Sequence, residues 1–376
     1  MPAVRALAER WLVAVERDPD VRAAGGDFAC SPTGVWLTLS AAAAGARGGT
    51  ARELEGLLGA AGARAAQAAS DATRALAETD AVAVATGMWS RTPVYRAFRE
   101  SLPDIRFGQF DPADPSAVDA WVREATGGLV GRLPGAMAPD TLLLLVNALA
   151  LKAKWAAPFK RQDTKDRAFT DASGVAHQVP TMFKRLPQPG HAWTVEGPSG
   201  DTVEVVAMRC LERPGRQPGQ AGAPAQVSFV LGAPGRTAAE VLPAAWAPAG
   251  RRRPVEADRV TIALPRLSLR TQLDVARHLE PLGAAQVCST HADFSGLSPE
   301  PLRISAVVQE SLVKVDELGV EAAARTEGHF TTRSAQTAVP RIRHIAFDRP
   351  FGIVIFDGPS GIPLFTAWQA SAPRAD

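Results

Sequence analysis

The sequence predicts an α+β fold, and three observations carry that assignment. The first 80 residues read as helices, strand-like segments dominate from about residue 81, and regular alternation of strand with helix is scarce. No internal repeat divides the 376 residues. A chain of that length can bury a large core; length alone suggests two or three domains, yet no clean linker separates them.

Each element has a local reason. Val4, Leu7, Ala8, Trp11, Leu12 and Val15 recur at helical spacing, with Arg5, Glu9, Arg10 and Glu16 between them. That pattern predicts an amphipathic helix packed on a core, because a secretory signal has an uninterrupted apolar centre. Ser31-Pro32 caps and opens a helix through Leu39 to Ala44, and Thr50-Ala-Arg-Glu53 reads as a capping box before Leu54, Leu57 and Leu58. Residues 81–90 are strand-like, and residues 114–125 are helical behind Asp114-Pro115-Ser116. The apolar run 141–151, ending at Lys152, is too short for a membrane and suits a strand buried on both faces or central in a sheet. Residues 202–209 and 225–232 read as alternating strands around a Pro/Gly-rich stretch, Arg213 to Pro224, which predicts a long surface loop. Strands return at 259–264, 343–347 and 351–356.

Composition excludes more than it identifies. Hydrophobic residues at 46% and charged residues at 21% are ordinary for a globular protein. A net charge of +2 gives no reason to expect nucleic acid or an anionic membrane as partner. Arginine supplies 35 of the 41 basic residues, which with the many alanines reads as a GC-rich coding bias and not as a binding surface. Arg251-Arg252-Arg253, beside Pro254, reads as a solvated turn. Cys30, Cys210 and Cys288 are widely separated, with no CxxC pair, and read as buried or half-buried free thiols. No dinucleotide fingerprint, phosphate-cradling loop, HExxH or GxSxG occurs. His177, His191, His278, His291, His329 and His344 are scattered, and each reads as a surface or capping residue. The expectation is therefore no catalytic residue, no cofactor and no metal, in a protein that is not an enzyme. No run approaches the ~18 apolar residues a membrane helix needs, so the chain is expected in the cytoplasm unless it leaves the cell by a signal-independent route.

Residues 317–340 are the most informative. Read as a strand, Val320, Ala322, Ala324, Thr326, Gly328, Phe330 and Thr332 share one face. Glu321, Ala323, Arg325, Glu327, His329 and Thr331 share the other, which holds every ionisable group. That is the period-two pattern of a strand with one buried face. No proline occurs from Asp316 to Val339, although the chain has 30, so nothing deletes a ladder donor. Glu321-Ala-Ala-Ala-Arg325 also has strong helix propensity, so a strand-competent loop and one turn of a surface helix both stand at this point.

Val315-Asp-Glu-Leu-Gly-Val-Glu-Ala-Ala-Ala324 resembles the hinge of the serpin family, where a Glu-x-Gly-x-Glu-Ala-Ala-Ala pattern starts the reactive loop. The resemblance covers nearly the whole chain. Ser31-Pro32, Gly45-Ala-Arg-Gly-Gly-Thr50 and Leu57-Leu-Gly59 resemble the family's early helices. Asn147 with Leu151-Lys-Ala-Lys-Trp155-Ala-Ala-Pro-Phe159 resembles its breach-region strand. Phe169, Gly174 and Val179-Pro-Thr-Met182, then Leu264-Pro-Arg-Leu-Ser268, Ala292-Asp-Phe-Ser-Gly296 and Phe347-Asp-Arg-Pro-Phe351, follow in family order.

The resemblance implies the serpin fold as a single domain over residues 1–376, with three β-sheets, eight or nine helices and an exposed reactive-centre loop at about 317–342. It implies a monomeric, bacterial member that inhibits a serine endopeptidase as a suicide substrate. Its hinge is Glu317, Gly319, Val320, Glu321, Ala322, Ala323 and Ala324; its sheet-opening breach and shutter residues are Ser31, Asn147, Trp155 and Gln309. The family spacing of sixteen residues from the hinge glutamate reaches Arg333, so the bond expected to be cut is Arg333–Ser334. Arginine there suits a protease pocket floored by a carboxylate, which its planar guanidinium pairs bidentately. A trypsin-like target is expected, with a subtilisin-like one second. Four positions depart from the family's usual residue: Gly34 replaces serine, Gln309 histidine, Ala153 glycine and Arg325 alanine. Residues 334–349 are also longer than usual. The alternative is a non-inhibitory serpin acting as a chaperone or binding module.

Overall fold

Helical periodicity accounts for the N-terminal quarter. The computed structural model describes residues 2–77, 82–125, 128, 141–151, 153–186, 189–211, 225–320, 340–358 and 361–374. Helix α1 (Pro2–Glu16) sinks Val4, Leu7, Ala8, Trp11, Leu12 and Val15 into the core at 1% exposure or less. Asp18 caps α2 (Pro19–Ala23), accepting the N–H groups of Asp20 and Val21. Ser31 caps α3 (Pro32–Gly45), which is apolar all round and buried along its whole length.

Helix α4 (Gly48–Leu58) corrects one expectation. It begins two residues before Thr50, and its cap position Arg47 makes no side-chain cap bond. Thr50 and Glu53 instead satisfy a distant loop: Asp293 N–H donates to Thr50 Oγ1 (2.9 Å) and Gln286 N–H to Glu53 Oε2 (2.7 Å). Four more helices, α5 (Gly62–Ala77), α6 (Arg96–Glu100), α7 (Ser116–Ala125) and α8 (Ala238–Val241), bring the α-helices among the described residues to eight.

The early strands are β1 (Phe28–Cys30), β2 (Val82–Ser90), β3 (Arg106–Gln109), β4 (Leu143–Leu151), β5 (Ala153–Lys154) and β6 (Lys165–Thr170). Next come β7 (Ala176–Arg185), β8 (Ala192–Glu196), β9 (Thr202–Arg209), β10 (Gln226–Leu231), β11 (Arg253–Pro254) and β12 (Arg259–Pro265). The last are β13 (Leu267–Asp274), β14 (Ile304–Val315), β15 (Gly319–Val320), β16 (Ile342–Ala346), β17 (Phe351–Phe356) and β18 (Pro363–Gln369). They form a seven-stranded sheet (β1-β18-β17-β10-β9-β8-β11), a four-stranded sheet (β16-β12-β7-β6) and a five-stranded sheet (β13-β14-β4-β2-β3). A two-residue ribbon, β15 on β5, stands apart. Three sheets with eight helices make the mixed α+β architecture that the sequence predicts.

The apolar run after residue 141 becomes β4, central in the five-stranded sheet and covered on both faces. Leu143 and Leu145 enter the main core, while Leu144, Val146 and Ala148 pack in a second cluster with Val118 and Val122 of α7. Trp89 and Trp121 meet edge-to-face at 5.9 Å in that cluster. Glycine is required beneath them: a Cβ on Gly87 would lie 2.7 Å from Trp121, and one on Gly108 2.2 Å from Trp89. The pattern of β9 and β10 differs from the alternation expected, since Val203–Met208 and Val227–Leu231 are buried in unbroken succession. Both faces of their sheet are inside the protein, so successive side chains are buried, with Glu204 and Ser228 the polar members of the runs. The Arg213–Pro224 stretch lies outside the described residues.

Other side chains settle smaller questions. His278 is not a surface residue: it is buried, its Nε2 lies 2.8 Å from Asp18 Oδ2, and its ring meets Trp11 edge-on. Cys30 and Cys210 are buried and Cys288 half-buried, all as free thiols. Arg251 Nη2 donates to the Glu196 carbonyl at 3.0 Å, Arg252 stacks on Trp193 at 4.8 Å, and Arg253 lies 3.8 Å from Glu196, so all three clustered arginines have internal partners. No described helix is long and apolar enough to cross a membrane.

Candidate functional site

Strand β14 runs parallel to β4, with Gln309 opposite Asn147, while its other neighbour, β13, is antiparallel. Odd-numbered residues of β14 such as Val307 and Val313 face the main core, and Gln309 shares their side. There it meets the N-cap of α3. Ser31 N–H donates to Gln309 Oε1 (2.8 Å), and Gln309 Nε2 donates to the Ser31 carbonyl (2.9 Å) and to Asn147 Oδ1 (3.3 Å). Asn147 Nδ2 in turn donates to Thr86 Oγ1 of β2 (3.1 Å), and Ser31 Oγ to the Leu364 carbonyl of β18 (2.5 Å).

Three of the predicted residues, Ser31, Asn147 and Gln309, thus form one cluster at 1% exposure or less. An amide side chain offers a donor and an acceptor at once, which is why Gln309 fills the place of a histidine with each end bonded. Gly34, where the family usually has serine, has no side chain to offer; its N–H donates to Ser31 Oγ at 2.9 Å and its carbonyl accepts the Thr38 hydroxyl at 2.8 Å.

Trp155 sits at the other end of the strand. It is buried; its N–H donates to the Leu318 carbonyl (3.0 Å) and its Nε1–H to the Asp316 carbonyl (2.9 Å). It therefore fastens the reversal that follows β14. Asp316 shapes that reversal: Leu318 N–H (2.8 Å) and Gly319 N–H (3.1 Å) donate to Asp316 Oδ1, and Asp316 N–H to the Gly319 carbonyl (2.9 Å). The chain emerges pointing back, and β15 pairs antiparallel with β5, Gly319 opposite Lys154 and Val320 opposite Ala153.

Glu317 lies in the middle of this turn at 3% exposure. Its Oε1 accepts the Thr164 hydroxyl (2.5 Å) and the Arg266 Nε–H (2.9 Å), with a second bond from Arg266 Nη2. Phe159 N–H donates to its carbonyl (2.8 Å). Burial alone would raise the carboxyl pKa, but the Arg266 and Thr164 bonds outweigh it and hold Glu317 below the usual carboxylate range.

Sequence reasoning missed Arg266, Thr164, Thr86 and Asp316. Arg266 was within reach, because it lies in the Leu264-Pro-Arg-Leu-Ser268 motif and a buried hinge carboxylate calls for a cation. Of the remaining predicted residues, Glu321, Ala322, Ala323 and Ala324 of the hinge, and Arg333 and Ser334 of the expected bond, lie outside the described residues. Among the described residues no group of three or more His, Cys, Asp or Glu side chains could hold a metal ion.

The family model described as Serpin (serine protease inhibitor) matches residues 18–370. The chain belongs to the serpin family. Plasminogen activator inhibitor 1 of Sus scrofa is 29% identical over 285 residues, 72% of this chain and 64% of that protein's length, just under two thirds of it. Serine protease inhibitor A3N of Rattus norvegicus is 27% identical, covering 90% of this serpin and 81% of the relative. Serpin-ZXA of Oryza sativa subsp. japonica is 27% identical, covering 91% and 89%. Among solved structures, Serpin48 of the insect Tenebrio molitor superposes with a TM-score of 0.77 at 22% identity, covering 99% of this chain and 97% of its own. The native state of the thermophilic serpin tengpin gives 0.74 at 19% identity, covering 98% and 93%. These likenesses establish the serpin fold. The family is described as one of serine protease inhibitors, not of enzymes.

Proposed function

We propose that this serpin traps a trypsin-like serine protease as a suicide substrate. In this reading the loop is cut at Arg333–Ser334 and residues 320–332 insert between β14 and β4. The observation that carries it is the parallel β14–β4 pair, together with β15 already lying antiparallel on β5. A segment that reverses after β14 runs antiparallel to β14, and because β4 is parallel to β14 the same segment is antiparallel to both. The boundary between those strands is thus the one place in the five-stranded sheet where a strand of this direction would lie antiparallel to both neighbours.

Loop insertion is the family's behaviour; this chain supplies a register for it. Continuing Gly319↔Lys154 and Val320↔Ala153 residue by residue brings Thr326 opposite Asn147 and Phe330 opposite Leu143. Cross-strand partners share a face, so Ala322, Ala324, Thr326, Gly328 and Phe330 would turn to the main core. These are the small, apolar or hydroxyl-bearing residues that the period-two pattern assigns inward. Thr326 would arrive where the 3.3 Å Gln309–Asn147 bond has to open, and its hydroxyl offers both a partner.

The chemistry begins on the protease. Its serine attacks the Arg333 carbonyl and forms an acyl-enzyme, releasing the Ser334 amine. Insertion then exchanges one ladder for two. At ~0.5–1.5 kcal/mol per net backbone bond, roughly a dozen gained bonds supply on the order of 10 kcal/mol before side-chain burial. That is enough to drag and distort the tethered enzyme before deacylation. Action as a monomer of one domain spanning residues 1–376, in the cytoplasm of a bacterium, belongs to the same proposal. Mass analysis after mixing with trypsin tests the bond: a C-terminal peptide beginning at Ser334 is expected, and a sole cut elsewhere overturns the assignment.

A further inference from the structure

The four-stranded sheet gathers charge of one sign in a chain that is nearly balanced overall, with 41 Lys and Arg against 39 Asp and Glu. Its strands carry Lys165, Arg167, Lys184, Arg185, Arg259 and Arg343 against one acid, Asp166. The ladders sort these residues by face. Met182, Val260, Ile262, Leu264 and Ile345 point into the core. On that side Arg343 Nε donates to Glu204 Oε1 at 3.0 Å, and Lys184 Nζ donates to the Ala157 carbonyl. On the outward side Arg185, Thr261 and His344 stand in one cross-strand row, with Arg259 and Ile342 in the next. His344 Nδ1 lies 2.9 Å from Thr261 Oγ1, and the Arg167 guanidinium lies over the Phe183 ring at 5.6 Å. Lys165, Arg167, Arg185 and His344 are exposed, as is Ile342 at 59%. Lys165, Arg167, Arg185 and Arg259 have no acidic partner among the described residues. Basic and apolar side chains thus share an outward face on which no acid stands.

The residues that flank 321–339 are fastened to this sheet on both sides. Thr164, next to β6, and Arg266, next to β12, grip Glu317 just before β15. On the other side β16 begins at Ile342 and pairs with β12 from Arg259 onward. A molecule that reads the intervening segment is therefore brought beside the basic face. We propose that the outward face of the four-stranded sheet is a docking surface for an acidic patch on the target protease, engaged before the loop is cut. The inference rests on the trapping reading above and adds a preference that the loop itself does not carry. Among proteases that cut after arginine, one with a negative surface is caught faster. Unpaired guanidinium groups fixed on a sheet act over about 8–10 Å at physiological salt, so their effect falls on the rate of encounter. Exposed Ile342 and half-buried Phe183 among the arginines favour a protein partner over a nucleic acid, whose phosphate backbone offers them nothing to cover.

Inhibition rates against two trypsins, one of net negative and one of net positive charge, test the surface at low and at high salt. Wild type is expected to trap the negative trypsin about tenfold faster at low salt, and the difference to close at high salt. The double variant Arg185→Glu, Arg259→Glu is expected to lose that preference, and Arg185→Gln, Arg259→Gln to fall between the two, each with the melting midpoint of wild type. Equal wild-type rates for the two trypsins, or a preference that both variants retain while the covalent complex still forms, overturn the docking face and leave trapping intact. Unchanged rates together with weakened binding to duplex DNA would assign the face to nucleic acid and overturn it as well. Failure to form a covalent complex with either trypsin overturns trapping itself, and the docking face with it.

Discussion

Gln309 and Ser31 hold each other at two points: Ser31 N–H donates to Gln309 Oε1 at 2.8 Å, and Gln309 Nε2 donates to the Ser31 carbonyl at 2.9 Å. Ser31 caps a fully buried helix and Gln309 belongs to a strand that insertion would displace, so this contact latches the closed sheet. Gln309→Leu would strand the Ser31 N–H and Asn147 Oδ1, while the Ser31 carbonyl keeps the Val35 N–H, at about 1–3 kcal/mol for each buried group left unpaired. The expected result is a lower melting midpoint for the intact chain and faster loss of inhibition on mild warming, without cleavage. An unchanged midpoint would show that the latch carries no load.

Glu317 makes the hinge acid-sensitive. Burial raises its pKa, but Arg266 and Thr164 lower it further, and the net shift is downward. A depressed folded-state pKa stabilises the fold above the unfolded value of about 4.3, and that contribution disappears as pH falls through the folded value. Glu317→Gln is therefore expected to cost stability at pH 7 and little at pH 3, measured by urea unfolding at each pH. Equal losses at the two pH values would contradict the assignment.

The line between what the sequence disclosed and what it hid follows the range of the interaction. Helix α1, the Ser31 cap and the doubly buried β4 depend on periodicity and short-range chemistry, which any window of a dozen residues displays. Thr50 and Glu53 match the local capping pattern, yet serve Asp293 and Gln286 more than 230 positions away. His278 was misread for the same reason, because Asp18, 260 positions distant, leaves no local sign. At the site, Ser31, Asn147 and Gln309 were legible through family motifs, whereas the Arg266 and Thr164 grip on Glu317 exists only once three separate connecting segments converge.

Thiol chemistry offers an independent check on the core. Burial pushes the Cys30 and Cys210 thiols up to about 12 and Cys288 to about 11. At pH 8 the thiolate fraction of each is on the order of 0.1% or less, and the thiolate is the reactive form. An aromatic disulfide reagent is expected to label none of the three within minutes in the folded protein, and all three after denaturation. Rapid labelling of Cys30 or Cys210 without unfolding would contradict their burial.

Val320 is the first residue of the face that insertion would turn inward. Val320→Arg would bring a charge toward the apolar interior, where an unpaired cation is costly. Insertion is expected to slow until deacylation wins, so the variant turns from inhibitor into substrate while its intact melting midpoint stays close to wild type. Undiminished inhibition would mean that the inward face is the other one.

The central claim is that cleavage is coupled to trapping, and the most direct measurement is denaturing electrophoresis after mixing with trypsin, in parallel with chymotrypsin and a subtilisin. A covalent band that survives SDS, at the summed mass of trypsin and the cleaved serpin, is the expected result. Complete cleavage of the loop by trypsin with full recovery of protease activity, and no such band, would contradict it.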